Sequence, residues 1–438
     1  MTVLTDPLTI RDVTIQNRLY RAPVLECAGT GPGSIDRLID ALEPAAAAGA
    51  GLVMQGATVV TETGGCVAPG MSRTTDPTFK QEAHRLPTAI ESHGGSIFIQ
   101  LDHGGLRSVE AWHRKIKAES PQVEQLAVSP PPRSLRLLDS LGALDFSVNV
   151  LTTDGVYELA ESFGQAADDA VSAGYHGIHL AGANMGIIEQ FLSPAYNRRT
   201  DVFGGKPGTP RLAFIRVLYE AIRSRVGESV PIIIKIPAES AGPPLVRGRL
   251  SLEDGVDIAR ACEQIGYDAV VPVTGSGFWD ASIIRGEYPQ RAWNDRRFQS
   301  GYTDAFGPLW RRLIQLANRV QAASFSREPG WNESFCRAVS ERVDIPVFIE
   351  GGIRERRQID RLLSEGIADA VGMARPFYAE PELPARLLQS SGARALCESC
   401  NNCTIPQVTG ARGICRTPSI LEEKGRLAKD GAYEKLDG

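Results

Sequence analysis

The sequence predicts an α/β protein, a (β/α)8 TIM barrel with long loops after strands 3 and 6 and a short Cys-rich C-terminal extension. Three observations carry this prediction. Short apolar runs alternate with longer segments of helical period along most of the chain, as in a parallel sheet built from βα units. Eight such runs can be counted, rich in Val, Ile and Ala at every position rather than alternate ones, as strands buried on both faces are. The length, 438 residues, would allow two or three average domains, yet a barrel with insertions reaches this size as one unit.

Taken in order, the strands are expected at 18–24, 51–57, 96–101, 177–181, 231–236, 269–273, 346–350 and 368–373. Between strands three and four, 155–173 reads as a helix: Leu159, Phe163, Ala166, Ala167, Ala170 and Val171 recur at three and four, and Gly174 stops it. Further helices are expected at 211–226, 252–265 and 356–364. Two connections are long: 102–153, with Ser129-Pro130-Pro131-Pro132, and 274–345, with Trp279, Trp293, Trp310 and Trp331. Long excursions after barrel strands belong to the C-terminal face, where active sites are built. Residues 1–390 are assigned to the barrel and 391–438 to an extension packed on it, with a charged, loosely held tail from Glu422.

Composition narrows the function. With 47 Lys+Arg against 52 Asp+Glu, a net charge of -5 and 42% hydrophobic residues, the chain is globular rather than disordered. No basic run exceeds Arg354-Glu355-Arg356-Arg357, so nothing marks a nucleic-acid partner. The N-terminus lacks the regions of a signal peptide and no apolar run reaches the roughly 18 residues of a membrane span, so a soluble cytoplasmic protein is expected. Of eight cysteines, Cys27, Cys66, Cys262 and Cys336 are scattered, while Cys397, Cys400, Cys403 and Cys415 crowd one stretch. In a cytosolic chain that clustering suggests a metal or cluster site more than disulfides.

In a barrel the informative residues close the strands. Strand one ends Arg21-Ala22-Pro23-Val24-Leu25-Glu26-Cys27, strand two Gln55-Gly56-Ala57, and strand three Gln100-Leu101-Asp102-His103-Gly104. Strand four leads into Ala183-Asn184-Met185-Gly186, strand five into Lys235-Ile236-Pro237-Ala238-Glu239, strand seven into Gly351-Gly352 and strand eight into Ala374-Arg375. Small residues after strands seven and eight let backbone N–H groups approach an anion, with Arg375 as a counter-charge. Lys235 ends an apolar strand, where a charge is costly unless paired. It either salt-bridges Glu239 or another barrel carboxylate, or acts as a Schiff-base amine or as the cation facing an anionic ring.

These residues carry a resemblance. Asp6-Pro7-Leu8 with Asn17-Arg18, Ala22-Pro23, Gln100-Leu101 with His103-Gly104, Gly182-Ala183-Asn184, and the block from Gln190-Phe191-Leu192-Ser193-Pro194 through Asn197-Arg198-Arg199-Thr200-Asp201 to Gly204-Gly205 resemble the old yellow enzyme family of FMN-dependent oxidoreductases. The resemblance implies an FMN-filled barrel in which Ala22, Pro23, Val24 and Ala57 line the isoalloxazine and Gln100 bonds its pyrimidine edge. Lys235 then takes the place usually held by Arg at the flavin N1/O2 end, while Gly351, Gly352, Ala374 and Arg375 match the phosphate positions. His103 has a counterpart beside the mouth, although packing alone accounts for it.

The chain also departs from that family. Members that reduce activated alkenes usually place two side chains, His with His or Asn, three residues apart after strand four, with a Tyr two beyond as proton donor. Here those positions are Ala181, Asn184 and Gly186. Only Asn184 survives, so electrophilic activation and the usual acid must come from elsewhere. Leu25 stands where Thr or Cys is common. Replacement groups are sought among Glu26, Cys27, Asp102 and the strand-six loop with Trp279, Asp280, Arg285, Tyr288 and Trp293; Asn184, Asp280 and Tyr288 are the catalytic candidates.

Cys397-x2-Cys400-x2-Cys403-x11-Cys415 suits a [4Fe-4S] cluster, with a four-thiolate zinc site or free thiols as rivals. The resemblance favours iron–sulfur, because larger relatives such as trimethylamine dehydrogenase and 2,4-dienoyl-CoA reductase carry four cysteines just after the barrel; their second gap is usually three residues and here it is two. The expected activity is hydride transfer from NAD(P)H or another donor through FMN to an electron-poor C=C or related small molecule, bulky to suit the indole-rich loop. Alternatives are an FMN/iron–sulfur dehydrogenase feeding an electron-transfer partner, a non-redox barrel enzyme using Lys235, and a flavin-binding protein without turnover. A homo-oligomer is compatible with the sequence.

Overall fold

The computed structural model describes residues 2–206, 209–244, 246, 248–325 and 328–434. Runs of branched apolar residues form eight parallel strands: β1 (Leu19–Arg21), β2 (Leu52–Val59), β3 (Ser96–Asp102), β4 (Gly177–Leu180), β5 (Ile232–Ala238), β6 (Ala269–Thr274), β7 (Phe348–Ile349) and β8 (Ala370–Met373). Neighbours follow chain order from β1 to β6, and β7 pairs with β8, which returns to β1. A parallel bridge between Val270 and Val347 closes the barrel. Each strand is followed by a helix: α1 (Ser34–Ala47), α2 (Arg85–Glu91), α3 (Thr153–Ser172), α4 (Ala213–Val226), α5 (Leu252–Ile265), α6 (Glu333–Ser340), α7 (Arg356–Ser364) and α8 (Leu383–Gln389). The predicted architecture is the one observed.

The two-residue period of each strand sorts its side chains. Ile97, Ile99, Leu101, Ile178, Leu180, Ile232, Ile234 and Ile236 pack outward with the helices, while Tyr20, Met54, Phe98, Ile233, Val271 and Phe348 fill the barrel. Leu8, Ile10 and Ile15 join that inner cluster from an N-terminal hairpin, Leu8–Ile10 against Val13–Ile15. The turn residue Arg11 pairs with Asp268 just before β6 and with Glu228 before β5, so the hairpin stoppers the N-terminal end of the barrel. Reactive groups are left to the opposite end.

Both long connections lie there. The first carries a two-stranded ladder, Gln125–Ala127 with Val148–Val150. The second carries a helix, Gln299–Ser324, kinked where Gly307 (φ 69°) precedes Pro308, which cannot donate a helical hydrogen bond. Its Tyr302 and Phe306 are buried against Trp293. The loosely held tail is a misreading as far as the described residues run. Pro418–Lys429 is a helix anchored by buried Ile420, and Lys424 reaches Glu382 at 2.9 Å. Its charges pair within the helix, Arg426 with Glu423 and Asp430, which a count of charges mistakes for a disordered end. Among the described residues no helix is long and apolar enough to cross a membrane.

Candidate active site at the barrel mouth

Two residues beyond inward-facing Phe98 and Ile233 come Gln100 and Lys235, so strand periodicity aims a polar layer at the mouth. Lys235 Nζ donates to Glu350 Oε2 at 2.7 Å, and Tyr20 donates to the other oxygen of Glu350 at 3.2 Å. Pairing with a barrel carboxylate was expected, but the partner is Glu350, not Glu239. Glu239 instead accepts from Ser193 Oγ at 3.0 Å and from the Leu250 N–H. Gln100 Nε2 meets His179 Nδ1 at 3.3 Å, while His179 Nε2 is buried without a partner among the described residues. Burial first, and the nearby Lys235 charge second, hold His179 neutral. His179 escaped the sequence reading; its signal was the inward register between Ile178 and Leu180.

After β7, Gly351 and Gly352 adopt φ 106° and 71°, conformations that favour glycine. A Cβ on Gly352 would lie 2.4 Å from the Glu328 carbonyl oxygen, because the 328–331 segment crosses this turn. Among the described residues, the N–H groups of Gly351, Gly352 and Ala374 donate no hydrogen bond. These are three open donors at the ends of strands seven and eight, of the kind an anion can accept from. The Arg375 side chain is committed to partners outside these three donors. Its guanidinium bonds Asn401 Oδ1 and the Arg285 carbonyl, the latter at 2.8 Å, linking the eighth loop to the cysteine segment. Arg285 lies over the ring of Trp331 at 5.2 Å, and its Nε, like Trp331 Nε1, is a buried donor without a partner among the described residues.

At the ends of β1 and β2, Ala22, Pro23, Val24 and Ala57 are held by backbone packing: a Cβ on Gly56 would meet the Val24 carbonyl oxygen at 1.6 Å. Glu26 has a structural task, accepting from Arg21 at 2.8 Å and from the Gly56 N–H at 3.0 Å. The Cys27 thiol is pushed up to about 12, mainly by burial, and stays protonated at neutral pH. Leu25 offers its carbonyl to Tyr378 at 2.6 Å and to Gln407.

The other side of the mouth is built from β3 and β4. Gln190 staples it, donating to Gly104 O at 3.0 Å and Met185 O at 2.8 Å while accepting from the Leu106 N–H. Asn197 likewise ties Phe191 O to Phe203 O, so the most family-like block is scaffolding. His103 accepts from the Gly105 N–H at 3.1 Å, and burial lowers it to about 4, in keeping with a packed neutral ring. Asn184 sits at φ 68°, its carbonyl bonded by Arg107, and Asn184 Oδ1 and Arg107 Nε are buried without partners among the described residues. Asp102 continues the inward register two residues past Gln100; burial raises it to about 6 against the opposing pull of Arg107, the His103 N–H and Lys235. Burial and the neighbouring Glu239 also push Glu189 up, to about 8.

The remaining candidates are placed elsewhere. Asp280 accepts from Ser240 Oγ at 2.7 Å and the Ser282 N–H at 2.9 Å, shaping the strand-six loop. Tyr288 lies under Arg319, 5.0 Å from its ring centre, in the cluster with Trp293. Trp279 packs with Met185 and Tyr196 close to Asn184, whereas Trp293 is buried and bonds Asn318 at 3.0 Å. The structure therefore brings Asn184 together with Asp102 and Arg107, not with Asp280 and Tyr288.

Cys397, Cys400, Cys403 and Cys415 are free thiols lining one cavity with Arg375, Ser399, Asn401 and Thr417. Burial pushes Cys403 up to about 12, with the Arg375 charge opposing and the other three cysteines adding to the rise. Among the described residues, no three His, Cys, Asp or Glu side chains converge closely enough to hold a single metal ion.

With this geometry in hand, the sequence profile of the NADH:flavin oxidoreductase / NADH oxidase family matches residues 3–247. The chain belongs to that family. Among curated relatives it is 27% identical to a metal reductase of Desulforamulus reducens over 98% of this chain and 55% of the relative. It is 26% identical to a 4,4'-dithiodibutanoate disulfide reductase of Rhodococcus erythropolis over 97% of this chain and 98% of the relative. The chain spans about half the length of several other relatives it matches. In fold it resembles the old yellow enzyme homologue of Zymomonas mobilis, with a TM-score of 0.63 at 17% identity over 96% of this chain and 99% of that one.

Proposed function

We propose that this family member is an FMN-dependent NAD(P)H oxidoreductase that passes hydride to a bulky, electron-poor small molecule, a conjugated C=C being the first acceptor to test. The observation that carries the reading is the joint presence of a paired cation on the barrel axis and open N–H donors at its rim: Lys235 with Glu350, and Gly351, Gly352 and Ala374. Bound FMN supplies hydride transfer between nicotinamide and acceptor. Gln100, with the unpartnered His179 behind it, suits the pyrimidine edge, and the three N–H groups suit the phosphate. Lys235 has three ammonium protons and gives one to Glu350, so a cation remains for the N1/O2 end, where negative charge accumulates on reduction. Hydride transfer needs alignment more than side-chain chemistry, and the rigid barrel supplies it. Asn184 is the group suited to an acceptor oxygen, with Arg107 holding its backbone.

The decisive experiment is the absorption spectrum of anaerobically purified protein before and after NADH and then NADPH, with iron, sulfide and zinc quantified on the same sample. Flavin bands that bleach support the reading. Protein that neither contains nor takes up FMN sinks it and returns attention to Lys235 as an amine nucleophile. A second reading, an FMN/iron–sulfur dehydrogenase delivering electrons to a partner protein, is favoured by the four-thiol cavity, whose segment bonds the Leu25 loop through Gln407. Stoichiometric iron and sulfide, lost in Cys403→Ser, support it; bound zinc, or no metal, removes it.

A further inference from the structure

Adding hydride to a C=C bond leaves a carbanion equivalent that must gain a proton, so a site doing this chemistry needs an acid within reach of the acceptor. The carboxyl groups around the mouth differ sharply in how they are held. Glu350 is paired with Lys235, Glu26 with Arg21, Glu239 is bonded by Ser193 and Leu250, and Glu189 by the Met185 N–H. Asp102 differs from these four: 4% exposed, it accepts only from its neighbour's N–H, that of His103, at 2.8 Å. Its other oxygen is uncommitted. Asp102 also stands at the right place, on the same inward register as Gln100 and across from the β4 loop. A Cβ built on Gly186 would lie 3.0 Å from Asp102 Oδ1, so the missing side chain at 186 is what lets the Asp102 carboxyl approach the β4 loop.

We propose that Asp102 is the catalytic acid of this site, protonating carbon as hydride arrives at the other end of the double bond. The inference rests on the alkene reading above. The bonds balance. The acceptor C=C becomes CH–CH by gaining hydride, drawn ultimately from NAD(P)H, and the Asp102 proton; the Asp102 O–H bond breaks, and the carboxylate recovers a proton from water before the next turnover. The groups facing Asp102 tune rather than replace it. Arg107 comes from the turn after β3 with Glu189 beyond it, Lys235 from β5 with Glu350 on its far side, and Cys66 from the loop after β2. Asn184, on the facing loop, supplies no proton of its own.

The test uses FMN-loaded protein reduced with NADH and then offered either 2-cyclohexenone, which needs a proton on carbon, or ferricyanide, which does not. The proposal expects the wild-type cyclohexenone rate to fall tenfold per pH unit above about 6, the value burial gives Asp102. Asp102→Asn should lower the cyclohexenone-to-ferricyanide rate ratio at least about 100-fold and abolish that pH limb. Asp102→Ala combined with Gly186→Tyr, which puts a phenol beside the place the Asp102 carboxyl vacates, should recover part of the ratio with the limb displaced to higher pH. An Asp102→Asn protein with an unchanged ratio, or an unchanged limb, overturns the proposal while leaving the alkene reading intact. A wild type that reduces ferricyanide but no alkene overturns both. Should Asp102→Asn fail to hold flavin, Asp102→Glu decides: it keeps a carboxyl and must shift the limb, and a limb that stays put overturns the assignment.

Discussion

The two sides of the barrel mouth are built on opposite rules. On the side of strands five, seven and eight the Lys235 charge is matched by Glu350, and what is left open among the described residues are donors, three backbone N–H groups with Arg285 Nε and Trp331 Nε1. On the side of strands three and four the backbone is stapled by Gln190, and what is left open is side chain: Asp102, Asn184 Oδ1 and Arg107 Nε. Buried donors and one paired cation suit a cofactor that every turnover reuses. Uncommitted side chains suit a changing acceptor.

The contrast can be broken most forcefully at Lys235. Lys235→Met strands the Glu350 carboxylate in the barrel and should cost about 3–5 kcal/mol of stability, read by denaturant unfolding, along with most of the bound flavin. Lys235→Met with Glu350→Gln should return the stability but not the flavin. If the double variant binds FMN normally, Lys235 is scaffolding. Next in size is Gly352→Ala, whose Cβ meets Glu328 O at 2.4 Å in a left-handed conformation. A loss of about 1–3 kcal/mol is expected, with weaker FMN retention by fluorescence titration. On the other side the sign reverses. Asp102 binds its proton more tightly folded, at about 6, than unfolded, at 3.8, so wild-type stability falls as pH rises through that window and is lowest above it. Asp102→Asn cannot ionise, so it should exceed the wild type by about 1–2 kcal/mol at pH 8, the advantage vanishing below pH 4. Thermal unfolding at the two pH values checks this. The smallest effect is expected for Trp279→Phe, which loses the bond to Tyr196 OH: about 1 kcal/mol in acceptor binding, seen as a raised KM, with FMN affinity unchanged.

How much of this the sequence displays follows from range. The barrel is legible because periodicity is local: each strand announces itself through residues such as Ile232, Ile233 and Ile234, and Gly351-Gly352 marks its own turn. Lys235 is legible because a charge inside an apolar run is conspicuous, but its partner is not, since Glu350 lies 115 residues away. Asp102 could be named as one of several replacements. What separates it from Glu26, Asp280 and Tyr288 is their occupation by Arg21, by Ser240 and by Arg319, contacts that only the closed fold creates. The resemblance conveyed more about cofactor than acceptor for the same reason, because its strongest block, Gln190 to Asp201, is structural stapling.

The hairpin at the N-terminal end bears on the order of events in time. With Leu8, Ile10 and Ile15 filling that end, the polar layer of the barrel lies toward the opposite face, where β3, β4 and the strand-six loop meet, and on the proposed reading that face is the doorway. A donor and an acceptor that must both reach the same buried layer cannot stand in that doorway together. They have to take turns, each leaving before the other enters, so a large excess of either should slow turnover by blocking the visit of its counterpart.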